Sequence, residues 1–189
     1  MRIVLLGAPG SGKGTQAAIL QEKLDLPHIS TGALLRAAVK DQTEVGQQAK
    51  DILDRGDFMP DEIMLRLIEE RLSQPDVENR FMLDGYPRNL AQAGALDALL
   101  EKLGKPIDEA IQIDVDPERI LARILRRAAE EHRSDDSEEV FLHRMRVYQE
   151  QTAPVADYYA ERGLLTRILG HGSPEDVNRL LLSVLDLND

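Results

Sequence analysis

The chain has 189 residues, no cysteine and a formal net charge of −11 at pH 7, which excludes disulfides and thiolate zinc sites and opposes a general nucleic-acid or anionic-membrane surface. Hydrophobic residues make up 42% and charged residues 30%, enough apolar side chain for one domain that buries roughly 70% of its unfolded surface. No apolar run is long enough to span a membrane, and the opening MRIVLLGAPG is too short for a secretory signal, so the cytoplasm is the expected location.

In chain order, RIVLL (2–6) reads as a buried strand, and after a glycine-rich loop TQAAILQEKL (15–24) reads as a helix with Ala17, Leu20 and Leu24 on one face. PHIS (27–30) is a second short strand. ALLRAAVK (33–40) and TEVGQQAKDILDR (43–55) follow as helices, the latter stopped by Gly56. Pro60 is expected just inside the start of the helix DEIMLRLIEERL (61–72). RFMLD (80–84) is the third strand, NLAQAGALDALLEKL (89–103) a helix ending at Gly104, and AIQIDV (110–115) the fourth strand. PERILARILRR (117–127) opens on a proline, a polar break is expected at 128–136, and a long helix from Ser137 to about Glu161 follows. LLTRIL (164–169) is the fifth strand, and Ser173 with Pro174 caps the last helix, 175–185. This alternation implies a parallel sheet with helices on both faces and ligands beyond the carboxyl ends of the strands.

GAPGSGKGT (7–15) lies between the first strand and the first helix. Gly7, Gly10, Gly12 and Gly14 let successive backbone N–H groups turn toward one point, and Lys13 adds a charge for the β- and γ-phosphates. An incidental glycine turn is the bland alternative, but the strand before and the amphipathic helix after argue against it. The hydroxyl expected directly after the lysine arrives one residue late, on Thr15. Mg²⁺ can bind largely through phosphates and water, so Thr15 and a carboxylate could hold its waters, with Asp84 the candidate. Taken alone, Asp84-Gly85 reads more simply as a turn pair.

GAPGSGKGT, STGALLR (30–36), DGYPRNLAQ (84–92) and the arginines from 123 to 144 together resemble the adenylate kinases in order and spacing, across essentially the whole chain. The resemblance implies a P-loop α/β fold with a five-stranded parallel sheet in a core of 1–29, 60–125 and 135–189. It also implies a nucleoside-monophosphate-binding insert (30–59) and a short lid (126–134). On it, Gly10, Ser11, Gly12, Lys13, Gly14 and Thr15 are the ATP phosphate cradle. Thr31, Arg36 and Gln92 belong to the AMP site, with Thr31 and Gln92 at the base and Arg36 at the phosphate. Asp57, Phe58 and Met59 match a segment that meets AMP through its backbone. Gly85, Tyr86, Pro87 and Arg88 match another AMP segment, with Arg88 on the phosphate. Arg123 and Arg127 flank the lid on the ATP side, Arg133 and Arg144 lie beyond it, and Gly172 matches a contact to the ATP base. The lid is too short for the zinc site of long-lid relatives, and residues 128–132 supply no lid glycine.

Independently of the resemblance, Arg119, Arg123 and Arg127 stack at four-residue spacing on one helix face. A solvated face is one reading, but arginine throughout, in an acidic protein, favours a clamp for phosphate oxygens. The expected reaction is ATP + AMP ⇌ 2 ADP with Mg²⁺, without zinc, in a monomer. An AMP phosphate oxygen needs no general base, so His28, His132, His143 and His171 are expected at surface or packing positions. UMP/CMP-type relatives tend to carry Ala at the place of Thr31 and Asn near 92, so both positions favour adenine. A GTPase-like switch would want an Asn-Lys-x-Asp motif, which is absent, and a silent binding module would be expected to have lost Lys13, Arg88 or Arg133.

Overall fold

The computed structural model describes residues 1–131 and 137–185, with the backbone alone for 125–131. Five strands, β1 (Arg2–Leu6), β2 (His28–Ser30), β3 (Phe81–Asp84), β4 (Glu109–Asp114) and β5 (Leu165–Leu169), form one sheet in the order β2-β3-β1-β4-β5. Every pairing is parallel. β1 is the central strand, its neighbours reached by crossovers to either side, so the sheet changes winding direction at its carboxyl end. Doubly wound sheets open their ligand crevice at such a point.

Side chains alternate across the sheet as the two-residue strand period requires. Val4, Leu6, Phe81, Leu83 and Ala110 face one core layer, while Ile3, Leu5, Met82, Ile111 and Ile113 face the other. The second layer is closed by α1 (Lys13–Leu24) and α9 (Pro174–Val184), through Ala17, Leu20, Val177 and Leu181. The first layer is thicker, and α2 (Thr31–Lys40), α3 (Glu44–Arg55), α4 (Asp61–Leu72), α5 (Leu90–Lys102) and α8 (Ala153–Ala160) all contribute to it. Ile120 and Ile124 of α6 (Pro117–Glu131) and Phe141 of α7 (Glu138–Val147) make a separate small core beside the carboxyl end of the sheet.

Four expectations are revised. α6 continues through Glu131, so residues 128–131 of the expected polar break are helical, and the rest of that break, 132–136, lies outside the described residues. The long helix after Ser137 is divided into α7, a π-helical segment Tyr148–Thr152 and α8. Pro154 supplies the reason, because it has no N–H to donate back to residue 150 and the regular ladder cannot run through it. Pro60 is the residue before α4 rather than inside it. The start of α1 also lies earlier than the apolar pattern indicated, at Lys13, so the loop lysine belongs to the helix's first turn.

α2 and α3 pack unusually closely. A Cβ on Gly46 would overlap the carbonyl of Ala38 and stand 2.6 Å from the Val39 nitrogen. Gly46→Ala gains about 1 kcal/mol of helix propensity, but overlap with a backbone is relieved only by moving one helix off the other. The net change is therefore a destabilisation on the order of 2 kcal/mol, to be measured as a lowered denaturation midpoint.

Candidate active site

The glycine-rich loop leaves the end of β1 and enters α1 without a side-chain cap, because the residue before the helix is Gly12, in the left-handed region at φ 101°. Several N–H groups of the first turn thus have no intrahelical partner and are presented at the positive end of the helix dipole. Gly10, at φ 81°, lies under α6, where a Cβ would come within 2.8 Å of both Ile120 Cγ2 and Ile124 Cγ1. That contact needs glycine twice over, for its backbone angle and for its lack of bulk.

The loop opens into a cleft of about 760 Å³ bounded by the carboxyl ends of β1, β2, β3 and β5. Lys13, Arg36, Arg88, Arg123 and Arg144 line it, and Asp84 is the one carboxylate among its described lining residues. In a chain of net charge −11, five cations around one acid is a local inversion of sign.

Four of these cations have positioning contacts. Lys13 Nζ donates to the carbonyls of Gly7 (2.7 Å) and Ala8 (2.9 Å), which draws it back over the loop. Arg123 donates to the carbonyls of Ser11 (3.2 Å) and Gly170 (3.0 Å), tying the loop to the end of β5. Arg88 Nε donates to the Gly85 carbonyl at 2.7 Å, and its guanidinium stacks 4.9 Å over the Phe58 ring. The Thr152 hydroxyl, in the π segment, donates to the Arg88 carbonyl at 2.7 Å. Arg144 reaches the cleft from α7, with its Cγ packed where Gly56 leaves room.

Asp84 stands at the end of β3, its Oδ2 3.7 Å from the point a Cβ on Gly14 would occupy and 3.3 Å from His28 Nε2. Burial pushes its carboxyl pKa upward, but the His28 hydrogen bond and the fields of Lys13, His28 and Arg88 outweigh it. The net result lies below the ordinary 3.8. An ionised carboxylate beside the first turn of α1 is a fit for a hydrated divalent cation, and Gly14 leaves the space in which a side chain would have stood.

Gly10, Ser11, Gly12, Gly14, Thr15, Gly85, Pro87 and Gly172 also border this cleft. Five expected contact residues do not, namely Thr31, Tyr86, Gln92, Asp57 and Met59. Thr31 is fully buried and its hydroxyl donates to the Gly85 carbonyl at 2.8 Å. Tyr86 points into the core, where burial first and the charge of Asp61 second push its phenol up to about 12. Gln92, 2% exposed, borders neither this cleft nor a smaller hollow of about 300 Å³, but its amide bonds Arg88 of the first and Asp61 of the second. Asp57 and Met59 border the smaller hollow, and Phe58 borders both.

Asp57 is held by Arg55 Nε (2.9 Å) and His143 Nε2 (2.8 Å). Of the arginine row, Arg119 pairs in solvent with Asp116 at 3.7 Å while Arg123 turns into the cleft. The Arg127 side chain, Arg133 and His132 lie outside the described residues. Sequence reasoning missed His28 as a neighbour of Asp84, and Thr152 as a support for Arg88. His28 follows Pro27 at a strand end, which carries no signal of its own, and Thr152 lies far along the chain from what it holds.

A sequence model described as "Adenylate kinase" matches residues 5–164. The chain belongs to the adenylate kinase family. An adenylate kinase of Stenotrophomonas maltophilia (strain K279a) is 51% identical over 185 residues, covering 98% of this chain and 99% of that one. Adenylate kinases of Xanthomonas campestris pv. campestris (strain B100) and Xanthomonas oryzae pv. oryzae (strain MAFF 311018) are 53% and 52% identical over 177 residues, covering 94% of this chain and 95% of each. The family is thus shown over nearly the full length, and the parallel five-stranded sheet is the fold it implies. No helix among the described residues is long and apolar enough to cross a membrane.

The depressed Asp84 pKa has a consequence for stability. A group whose folded pKa lies below its unfolded value stabilises the fold above the unfolded value and loses that contribution as pH falls through the folded one. The stability gap between the native protein and Asp84→Asn is therefore expected to be full above about pH 4 and to narrow below it. Urea denaturation at pH 6, 4 and 3 measures this.

Proposed function

We infer that the chain transfers the γ-phosphoryl group of ATP to AMP, reversibly, giving two ADP. The observation that carries it is the cleft itself, in which five cations and an uncapped helix N-terminus converge beyond the carboxyl ends of a doubly wound sheet. Membership of the adenylate kinase family and relatives of that name over nearly the whole chain support the substrate pair.

In the reaction, an AMP phosphate oxygen forms a bond to the γ-phosphorus while the bond from that phosphorus to the β–γ bridging oxygen breaks, leaving ADP on each side. No proton needs to move, because the attacking oxygen is already ionised at neutral pH. The difficulty is repulsion between two anions, and the chain answers it with fixed positive charge. Lys13 and the loop N–H groups, Gly10 to Thr15, hold the ATP phosphates, with Arg123 beside them and Gly172 at the base. Arg36, Arg88 and Arg144 hold the AMP phosphate in line; we assign Arg133 to the same clamp and Arg127 to the ATP side with Arg123. Thr31, Asp57 to Met59, Gly85 to Pro87 and Gln92 form the surroundings of AMP.

Asp84 and Thr15 would hold the water shell of Mg²⁺, which when bound would neutralise charge on the ATP phosphates. Among the described residues there is no cluster of three or more His, Asp or Glu that could cage an ion by themselves, and we propose that no zinc takes part. Residues 30–59 are proposed as the AMP-binding insert and 126–134 as a short lid that excludes water as a competing acceptor. A cytoplasmic monomer completes the proposal.

Arg88 makes the sharpest test, because both its guanidinium and its carbonyl are held in place. Arg88→Ala is expected to lower turnover on the order of 10³ or more with the denaturation midpoint little changed. Near-normal turnover would remove Arg88 from the mechanism. In a coupled assay across AMP, CMP, UMP and GMP, AMP is expected to be the preferred acceptor, and a preference for UMP would overturn the substrate assignment.

A further inference from the structure

Gln92 is 2% exposed, yet both ends of its amide are occupied by groups that tolerate only one orientation. Its Nε2 donates to Asp61 Oδ1 at 2.7 Å, and its Oε1 accepts from the Arg88 backbone N–H at 2.8 Å. An ionised carboxylate only accepts and a backbone N–H only donates. Turning the amide over would set N–H against N–H at Arg88 and oxygen against carboxylate at Asp61. Asp61 is itself fixed, since Asn89 Nδ2 donates to both its oxygens at 3.2 and 3.3 Å. Asp61 and Asn89 border the smaller hollow together with Phe58 and Met59, and its volume, about 300 Å³, lies at the lower end of the range for small-molecule sites.

We propose that Asp61 is a positioning residue that locks the Gln92 amide in the orientation that accepts an adenine and rejects a 6-oxopurine. This rests on the reading of Gln92 as a neighbour of the acceptor base. After its two fixed bonds the amide retains one N–H and one oxygen lone pair. Adenine offers the complementary pair on its Watson–Crick edge, an acceptor at N1 and a donor at the 6-amino group. Hypoxanthine and guanine offer the reverse, a donor at N1 and an acceptor at O6. An amide free to turn over would serve both kinds of base, whereas a locked one leaves the wrong base with unpaired buried polar groups, the situation that gives polar sites their strongest discrimination. Asp61 is the first residue of α4 and is exposed on its other side, so its replacement leaves the core intact.

The test compares AMP with inosine monophosphate as acceptors for Asp61→Asn, Asp61→Ala and Gln92→Ala, alongside the KM for ATP and the denaturation midpoint. Asp61→Asn keeps the shape but allows either end of the amide as partner, and Asp61→Ala removes the partner. Both are expected to lower the ratio of kcat/KM for AMP over inosine monophosphate by tenfold or more, with the KM for ATP within about twofold. A merely structural role would depress both acceptors together and leave the ratio where it was. That result in both Asp61 variants, with Gln92→Ala raising the KM for AMP, overturns the lock while keeping Gln92 at the base. No rise in the KM for AMP on Gln92→Ala removes Gln92 from the base and overturns the lock with it.

Discussion

Bringing one polyphosphate against another requires a place where the protein's own charge is reversed. The chain carries −11 overall, yet in the main cleft the cations among the described lining residues outnumber the acids five to one. The reversal is built from separated pieces of chain. Lys13 comes from the first turn of α1, Arg36 from α2, Arg88 from the turn after β3, Arg123 from α6 and Arg144 from α7. Isolated guanidinium groups would fan apart by mutual repulsion. Here backbone carbonyls hold three of the five cations in place, at Gly7 and Ala8, at Gly85, and at Ser11 and Gly170.

The parallel sheet makes that convergence geometrically cheap. Four of its strands deliver a loop to the same edge, and the register sets Leu5 opposite Asp84 and Leu6 opposite Gln112, so the phosphate loop begins level with the end of β3. The two core layers hold these strand ends while each helix departs on its own side. Asp84, the one carboxylate among the described lining residues, is held below the ordinary carboxyl pKa, against the upward push of burial, by the His28 hydrogen bond and the charges of Lys13, His28 and Arg88.

Much of this was legible from the residues. Strand positions followed from short β-rich runs, the loop from four glycines and a lysine in the right context, and the cleft cations from arginines in an acidic chain. What could not be read was partnership across long separations. Thr152 and Arg88 are 64 residues apart, and Gln92 and Asp61 31 apart, with nothing in either local pattern to announce the pair. Thr31 and Tyr86 lie in motifs that suggest ligand contact, but packing turned both side chains inward. The π segment escaped because an uninterrupted helical period continues through it, and only the missing N–H of Pro154 breaks the ladder. Histidines carry little positional signal at all, so the carboxylate partners of His28, His143 and His171 (Asp84, Asp57 and Asp116) emerged only in three dimensions.

The bond between Asp57 and His143 joins the end of the α2–α3 arm to α7, from which Arg144 projects, and the missing side chain of Gly56 leaves room for the same arginine. The arm and the helix therefore mesh like a pawl and a tooth. Swinging α2 and α3 outward must either unhook that pair or drag the arginine after it. Because both partners are more than a third open to solvent, the catch is worth at most about 1 kcal/mol. So light a catch costs little to release, yet while it holds it ties the placement of Arg144 to that of α2 and α3.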